Sequence, residues 1–166
     1  MNQRRLQGSE YTDDTGEATP VLAAALATYG ADETRYADVL AALGAARLLV
    51  PVVAVLGEVE VGDDGLARDK TSDMATVLLR GADGRMALLA FSSTETLAAW
   101  NPEGRPVPVA TRTAAQTTLQ EGAHALLIDV AGPVTVAVDG DDLRALAAGW
   151  RLARAGDRLG WVRPAD

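Results

Sequence analysis

The residue types that nucleophilic, acid–base or metal chemistry would need are few in this chain. They are the adjacent serines Ser92 and Ser93, a sole histidine, His124, and carboxylate runs at 63–64 and 139–142. Ser92 follows the apolar run LLAF, which places the serines between a strand and a helix. A serine nucleophile at such a junction sits on a strained turn with glycines on both sides, G-x-S-x-G. Here the neighbours are Ala90, Phe91, Thr94 and Glu95. The spacing of Ser92 and Glu95 is instead that of a capping box, S-x-x-E. It predicts Ser92 as the N-cap of a helix that carries Leu97 and Trp100 on one face. Any Ser–His pair or histidine-based metal site would have to use His124, and no partner motif accompanies it. Neither carboxylate run has the D-x-[DN]-x-[DN]-G order of a calcium loop. Asp63-Asp64-Gly65 reads as a turn, and Asp139, Asp141 and Asp142 read as negative charge at a helix N-terminus. GADGR lacks a P-loop lysine, and GPVTVA lacks the G-x-G-x-x-G cradle. With no cysteine, thiol catalysis, disulfides and thiolate-held zinc are excluded. The residues assign no catalytic group, no metal and no cofactor.

One polar stretch is better suited to recognition. Arg68, Asp69, Lys70, Thr71, Ser72 and Asp73 crowd together just before a buried strand, and binding residues concentrate on loops held by a rigid sheet. Trp100 and Arg105 lie on the far side of the same central hairpin in sequence. Candidate binding residues are therefore Arg68, Lys70, Thr71, Ser72, Asp73, Trp100 and Arg105. Arg68, Lys70 and Arg105 would give local positive character to an acidic protein, which suits a protein partner, an acidic peptide or a small anion. The function these features point to is a non-enzymatic binding or regulatory module. The alternatives are a hydrolase or transferase with a cryptic site near His124, and a structural oligomer subunit.

The elements that must carry these residues follow from periodicity. Residues 1–18 are polar and read as a flexible arm. Thr19-Pro20 looks like an N-cap with proline at the first helical position, and Leu22, Ala25, Leu26 and Tyr29 recur at helical spacing up to Gly30. Tyr36, Val39, Leu40 and Leu43 form a second helical face. Residues 47–56 are apolar without alternation, as in a strand buried on both faces. ATVLLR and RMALLAF flank Asp83-Gly84 as a β-hairpin. Thr113 and Gln116 resemble a capping box opening a helix that ends at Gly122. ALLIDV and VTVAV are strands, and Leu143, Leu146, Ala147 and Trp150 share a last helical face. The order predicts a single α/β (α+β) domain over 19–155, with a mixed sheet of five to six strands, a central hairpin and helices packed against it. Residues 156–166 read as a C-terminal tail. Open sheet edges in a core of small residues favour a homodimer.

Bulk properties narrow the partners. The 166 residues carry a formal net charge of −8 and are 48% hydrophobic but only 4% aromatic. Nucleic acid and anionic membrane surfaces are poor partners for such a chain. No secretory signal follows Arg4 and Arg5, and the run LLVPVVAVL is too short to span a bilayer. The expected location is the cytoplasm.

Taken in order, LLVPVVAV, DKTSDMATVLL, DGRMALLAFSSTETLAAW, RPVPV and EGAHALLIDVAGP resemble the SseB family, specifically its N-terminal domain as found in actinobacterial proteins. The similarity runs from about Tyr36 to about Trp150. It implies an α/β single-domain fold and carries no activity and no catalytic residues with it.

Overall fold

A computed structural model describes residues 11–56, 59–61, 67–69 and 72–165, with side chains over 11–52 and 76–165. Helix α1 (Pro20–Ala31) begins where Thr19 accepts a hydrogen bond from the Leu22 amide and proline fills the first turn. Gly30 does not stop this helix. It lies inside it because α1 presses on Val134, whose Cγ2 would stand 2.6 Å from a Cβ at that position. A short 3-10 turn at Glu33–Arg35 leads into α2 (Tyr36–Leu43), which buries Val39, Leu40 and Leu43 as its spacing predicts.

Strand β1 (Arg47–Leu56) is followed by the short pair β2 (Val59–Val61) and β3 (Ala67–Asp69), then by β4 (Ser72–Thr76). The expected hairpin is formed by β5 (Leu78–Arg80) and β6 (Met86–Ala90), turning through Gly84 at φ 83°. Helix α3 (Thr94–Trp100), strand β7 (Arg105–Ala110) and helix α4 (Thr111–Gln120) then make the crossover to β8 (Ala125–Ile128), which lies parallel to β6. Strand β9 (Val136–Asp139) returns antiparallel to β8, and α5 (Gly140–Ala147) follows. β10 (Arg151–Ala155) and β11 (Arg158–Val162) close the chain as a hairpin of their own. β1 pairs with β7 along its first half and with β4 along its second. Leu49 and Phe91 exchange two backbone hydrogen bonds, of 2.7 and 2.8 Å, and so join the β4–β1–β7 strands to the β5–β6–β8–β9 strands. The α/β class, the mixed sheet and its central hairpin are as the sequence predicts.

Alternation along the strands splits the core in two. Leu48, Val50, Leu88, Ala90, Leu126 and Ile128 face the larger cluster, shared with α1, α2, α4 and α5. Leu49, Leu89 and Phe91 face the other side, where Leu97 of α3 and the partly buried Trp100 cover them.

Four sequence expectations are corrected. Residues 11–18 of the expected arm are tied to the sheet by hydrogen bonds from Arg47 and Thr94, while residues 1–10 lie outside the described residues. The expected tail at 156–166 includes β11, which pairs with β10 and packs Trp161 against the core opposite Leu152. Trp150 lies beyond α5, after the chain turns through Gly149 at φ 80°, and it does not share the face of Leu143 and Leu146. Finally, α4 starts at Thr111 and not at a Thr113–Gln116 capping box: its N-cap is Ala110, which has no capping side chain, while Thr111 donates to the Ala46 carbonyl and Gln116 to that of Ala147.

RPVPV is a strand despite its prolines because it occupies an edge. Leu49 directs its N–H and C=O to Phe91, so its β7 partner Pro108 directs its own nitrogen away from β1, and Pro106 opposite Pro51 does the same. Two outward donors are thus missing from the exposed edge, which blunts it against pairing with another chain. The open-edge route to a homodimer is closed at β7. Restoring the donors with Pro106→Thr and Pro108→Thr together should raise concentration-dependent self-association, as followed by light scattering; an unchanged particle size would refute this account of the prolines.

Candidate functional site

The carboxyl ends of parallel strands are where ligands gather in α/β sheets. Here β6 ends at Ala90 and β8 at Ile128, and the next polar residues on each are Ser92 and Asp129. They are joined directly. The Ser92 amide donates to Asp129 Oδ1 at 2.8 Å, and the Ser92 hydroxyl donates to Oδ2 at 2.6 Å. Both residues are 3% exposed. Asp129 holds φ at 59°, the left-handed region, and is the one non-glycine there among the described residues. Such backbone is held only where its surroundings over-determine it. Its amide donates to the Ala90 carbonyl, and its own carbonyl receives Gly132 N–H and the Thr135 hydroxyl. Gly132 packs closely here, since a Cβ would come within 3.3 Å of Asp129 Cβ and Thr96 Cγ2.

The capping assignment therefore moves by one residue. Ser93, not Ser92, is the N-cap of α3: its hydroxyl accepts from the Thr96 amide while Thr96 Oγ1 accepts from the Ser93 amide. Ser92 is turned inward, to the carboxylate.

Beside this pair lies Arg47, 8% exposed, at the first position of β1. Its Nε and Nη2 clasp the Asp14 carboxylate at 2.5 and 2.9 Å. Nη1 donates to the Ser92 carbonyl at 2.6 Å, and Nη2 also donates to the Glu17 carbonyl at 2.6 Å. Gly16 adds a main-chain bond from the Thr94 amide at 2.8 Å. Residue 16 has to be glycine, both for its φ of 82° and because a Cβ would stand 2.6 Å from Thr94 Cγ2. An acidic stretch of the chain, Asp13-Asp14-Thr15-Gly16-Glu17, thus crosses the carboxyl ends of the strands with Arg47 beneath it. The Arg47 hydrogen bonds hold the Asp14 carboxyl below its ordinary 3.8, against a smaller opposing effect of burial. Around the crossing are a hollow of about 210 Å³ bordered by Tyr11, Leu49, Pro106 and Pro108, and one of about 300 Å³ bordered by Asp13, Thr19 and Arg47. A cleft of about 200 Å³ between α1 and Pro133-Val134 has Ser92 and Asp129 in its wall.

Chemically the seam is an anchoring device. The Ser92 proton is directed at a carboxylate, and His124 stands before β8 rather than after it, about 16 Å away along that strand at roughly 3.3 Å per residue. His124 Nε2 accepts from Arg85 Nη1 at 3.1 Å and lies 3.9 Å from Asp139. The structure does not bring serine and histidine together. Asp139, Asp141 and Asp142 do open α5, as expected for negative charge at a helix N-terminus. Among the described residues no group of three or more His, Asp or Glu side chains could hold a metal ion, and no helix is long and apolar enough to cross a membrane.

Of the residues singled out for binding, Trp100 packs its ring on Phe91 with centroids 5.6 Å apart, and Arg105 is exposed at the start of β7. Arg68 is in β3, and Ser72 and Asp73 are in β4, with only their backbone described; Lys70 and Thr71 lie outside the described residues, as does the Asp63–Gly65 turn. Sequence reasoning missed Arg47, Asp14 and Asp129. The available signal was a charge at each end of a buried strand: an arginine opening LLVPVV and an aspartate ending ALLI.

A family model described as the SseB protein N-terminal domain matches residues 22–145. The chain belongs to the SseB family. The matched residues run from α1 into α5 and so include Arg47, Ser92 and Asp129, whereas Asp14 and the β10–β11 hairpin lie outside them. No curated protein and no solved structure matches the chain.

Two outcomes are expected. Ser92→Ala strips a donor from a buried carboxylate and should cost about 1.5–3 kcal/mol. Ser93→Ala removes only a cap, about 0.5–2 kcal/mol. Urea unfolding of the two variants should rank them in that order. Asp14→Asn should lower stability by about 1–3 kcal/mol at neutral pH, as for a hydrogen bond to a charged group. Because the folded-state value of Asp14 is depressed, its contribution is complete above the ordinary 3.8 and is lost as pH falls through the lower folded value. Unfolding curves of the two proteins should therefore converge in strong acid.

Proposed function

We propose that this SseB-family domain is a non-enzymatic binding module that holds a short acidic peptide segment at the carboxyl ends of its parallel strands. The observation that carries this reading is the seat already taken by Asp13–Glu17. A buried guanidinium grips a carboxylate with two donors and two main-chain carbonyls with the rest, and a main-chain bond from α3 fixes the register. A fork of donors on a carboxylate is the geometry proteins use for acidic motifs. The tethered segment is the module's resident ligand, and a partner's acidic segment would replace it.

A synthetic peptide of residues 9–19 should bind the chain that starts at Thr19, with affinity that falls roughly tenfold when the peptide carries Asn in place of Asp14. In the intact protein an excess of the same peptide should release the tethered segment and expose residues 11–18 to protease. Equal binding of the Asn peptide, or unchanged protease resistance, would defeat the proposal.

A second surface for an acidic partner is supported by strand register. Arg105 pairs with Val52 and Ser72 with Leu56, so β7 begins and β4 begins over the same half of β1, about 13 Å apart along it at roughly 3.3 Å per residue. Arg68, Ser72, Asp73, Trp100 and Arg105 would contribute to this surface, while Lys70 and Thr71, which follow β3 in sequence, lie outside the described residues. Reversing the charges of Lys70 and Arg105 together should abolish capture of acidic peptides by this surface while leaving the Arg47 seat occupied.

A further inference from the structure

The charges along the carboxyl rim of the sheet do not cancel. Arg47 is the cation of that seam, and its hydrogen bonds go to the Asp14 carboxylate and to the carbonyls of Glu17 and Ser92. Asp129 forms no ion pair among the described residues, and both hydrogen bonds to its carboxylate come from neutral Ser92. One guanidinium thus stands among two largely buried carboxylates, and one negative charge is left without a partner. A buried charge of that kind is costly unless something supplies its opposite.

The cleft of about 200 Å³ between α1 and Pro133-Val134 has Asp129 and Ser92 in its wall, and its hydrogen-bonding character is one-sided. The Ser92 hydroxyl donates to Asp129 at 2.6 Å. The hydroxyl of Thr96, the third polar side chain of the wall, donates to the Ser93 carbonyl at 3.0 Å. With both protons committed, the polar side chains of the wall offer acceptors alone, so a ligand must bring the donors. The rest is apolar: Ala23 and Ala27 of α1 stand across from Pro133 and Val134. An anion would meet Asp129, and a bare metal ion would find too few oxygens among these side chains. A primary ammonium on a short alkyl chain suits both parts, its N–H groups for the carboxylate and the serine oxygen, its carbons for the apolar walls. At roughly 30 Å³ for a water-sized group, the cleft has room for about six such groups. The left-handed backbone of Asp129, at φ 59°, belongs with this picture, because strained residues of that kind gather at ligand clamps.

We propose that this cleft binds a small primary alkylammonium, held by Asp129 and Ser92. The cleft is present while Asp13–Glu17 occupies its seat, so the proposal goes beyond the acidic-segment reading and does not depend on it.

Titration of the intact protein with isobutylammonium chloride, followed by NMR of the Ala27 and Val134 methyl groups, should reach saturation with a Kd of about 1 mM. Isobutanol, which has the same shape without the charge, and potassium chloride at equal ionic strength should each bind at least about tenfold more weakly. Ala27→Leu fills the cleft from an exposed position between two good helix formers, and should weaken isobutylammonium binding at least about tenfold while leaving the unfolding midpoint in place. Asp129→Asn should erase the preference for the ammonium over the alcohol. Isobutanol or potassium chloride acting as well as isobutylammonium, no saturation up to about 100 mM, or an Ala27→Leu variant that binds like the parent would each overturn the proposal. So would a folded Asp129→Asn variant that keeps the preference; should that variant fail to fold, the alcohol comparison and Ala27→Leu still decide.

Discussion

Arg47 is a guanidinium placed where water scarcely reaches it, and a charge in that position must be satisfied by the protein itself. Its donors run to the Asp14–Glu17 segment and to Ser92, two places distant in sequence from Arg47 and from each other. Satisfying it orders the segment before α1, fixes the turn between β6 and α3, and sets β1 at the height where Leu49 meets Phe91. The Ser92–Asp129 pair continues the same chain of constraints to the turn after β8. The rim of the sheet is therefore built from ionic and main-chain hydrogen bonds, while its two faces are built from alanine, valine and leucine. With aromatic residues at 4%, the core alone offers few large contacts, and the polar rim supplies the positional specificity.

How legible this was depends on the distance over which each signal acts. Local rules read well: the Thr19-Pro20 start, the Asp83-Gly84 hairpin and burial on both faces along the first half of β1 are all present. The cap at α3 was read one residue early because Ser92 and Ser93 both satisfy the local pattern. Only the carboxylate of Asp129, thirty-seven positions away, decides between them. β7 was hard to read because its prolines argue against any strand with two neighbours, and edge position is a tertiary fact. The last hairpin was missed because each of its strands has one anchoring residue, Leu152 or Trp161, and a single apolar position cannot display a period of two. Arginine on the remaining positions looks like a solvated tail until the register is known.

The contrast between His124 and Asp129 has the same origin. Histidine attracts notice by its type, yet His124 sits at the mouth of the sheet among Arg85 and Asp139, half exposed. Asp129 has an ordinary type and an exceptional setting. Burial, a left-handed backbone and two hydrogen bonds from one serine are properties of place. They guide attention better than residue type does.

The unequal division of the core has a consequence for how the molecule opens. Leu49, Leu89, Phe91 and Leu97 form a cluster of four beneath a seven-residue helix, whereas the opposite face is sealed by four helices over a much larger cluster. Local opening follows the number of apolar contacts that must be broken. Amide hydrogens of α3 and of the acidic segment lying on its first turn should thus exchange together through a low-energy excursion, while those of β6 and β8 wait for global unfolding. The side of the sheet that carries the resident acidic segment is also the side with its own small, separable melting unit.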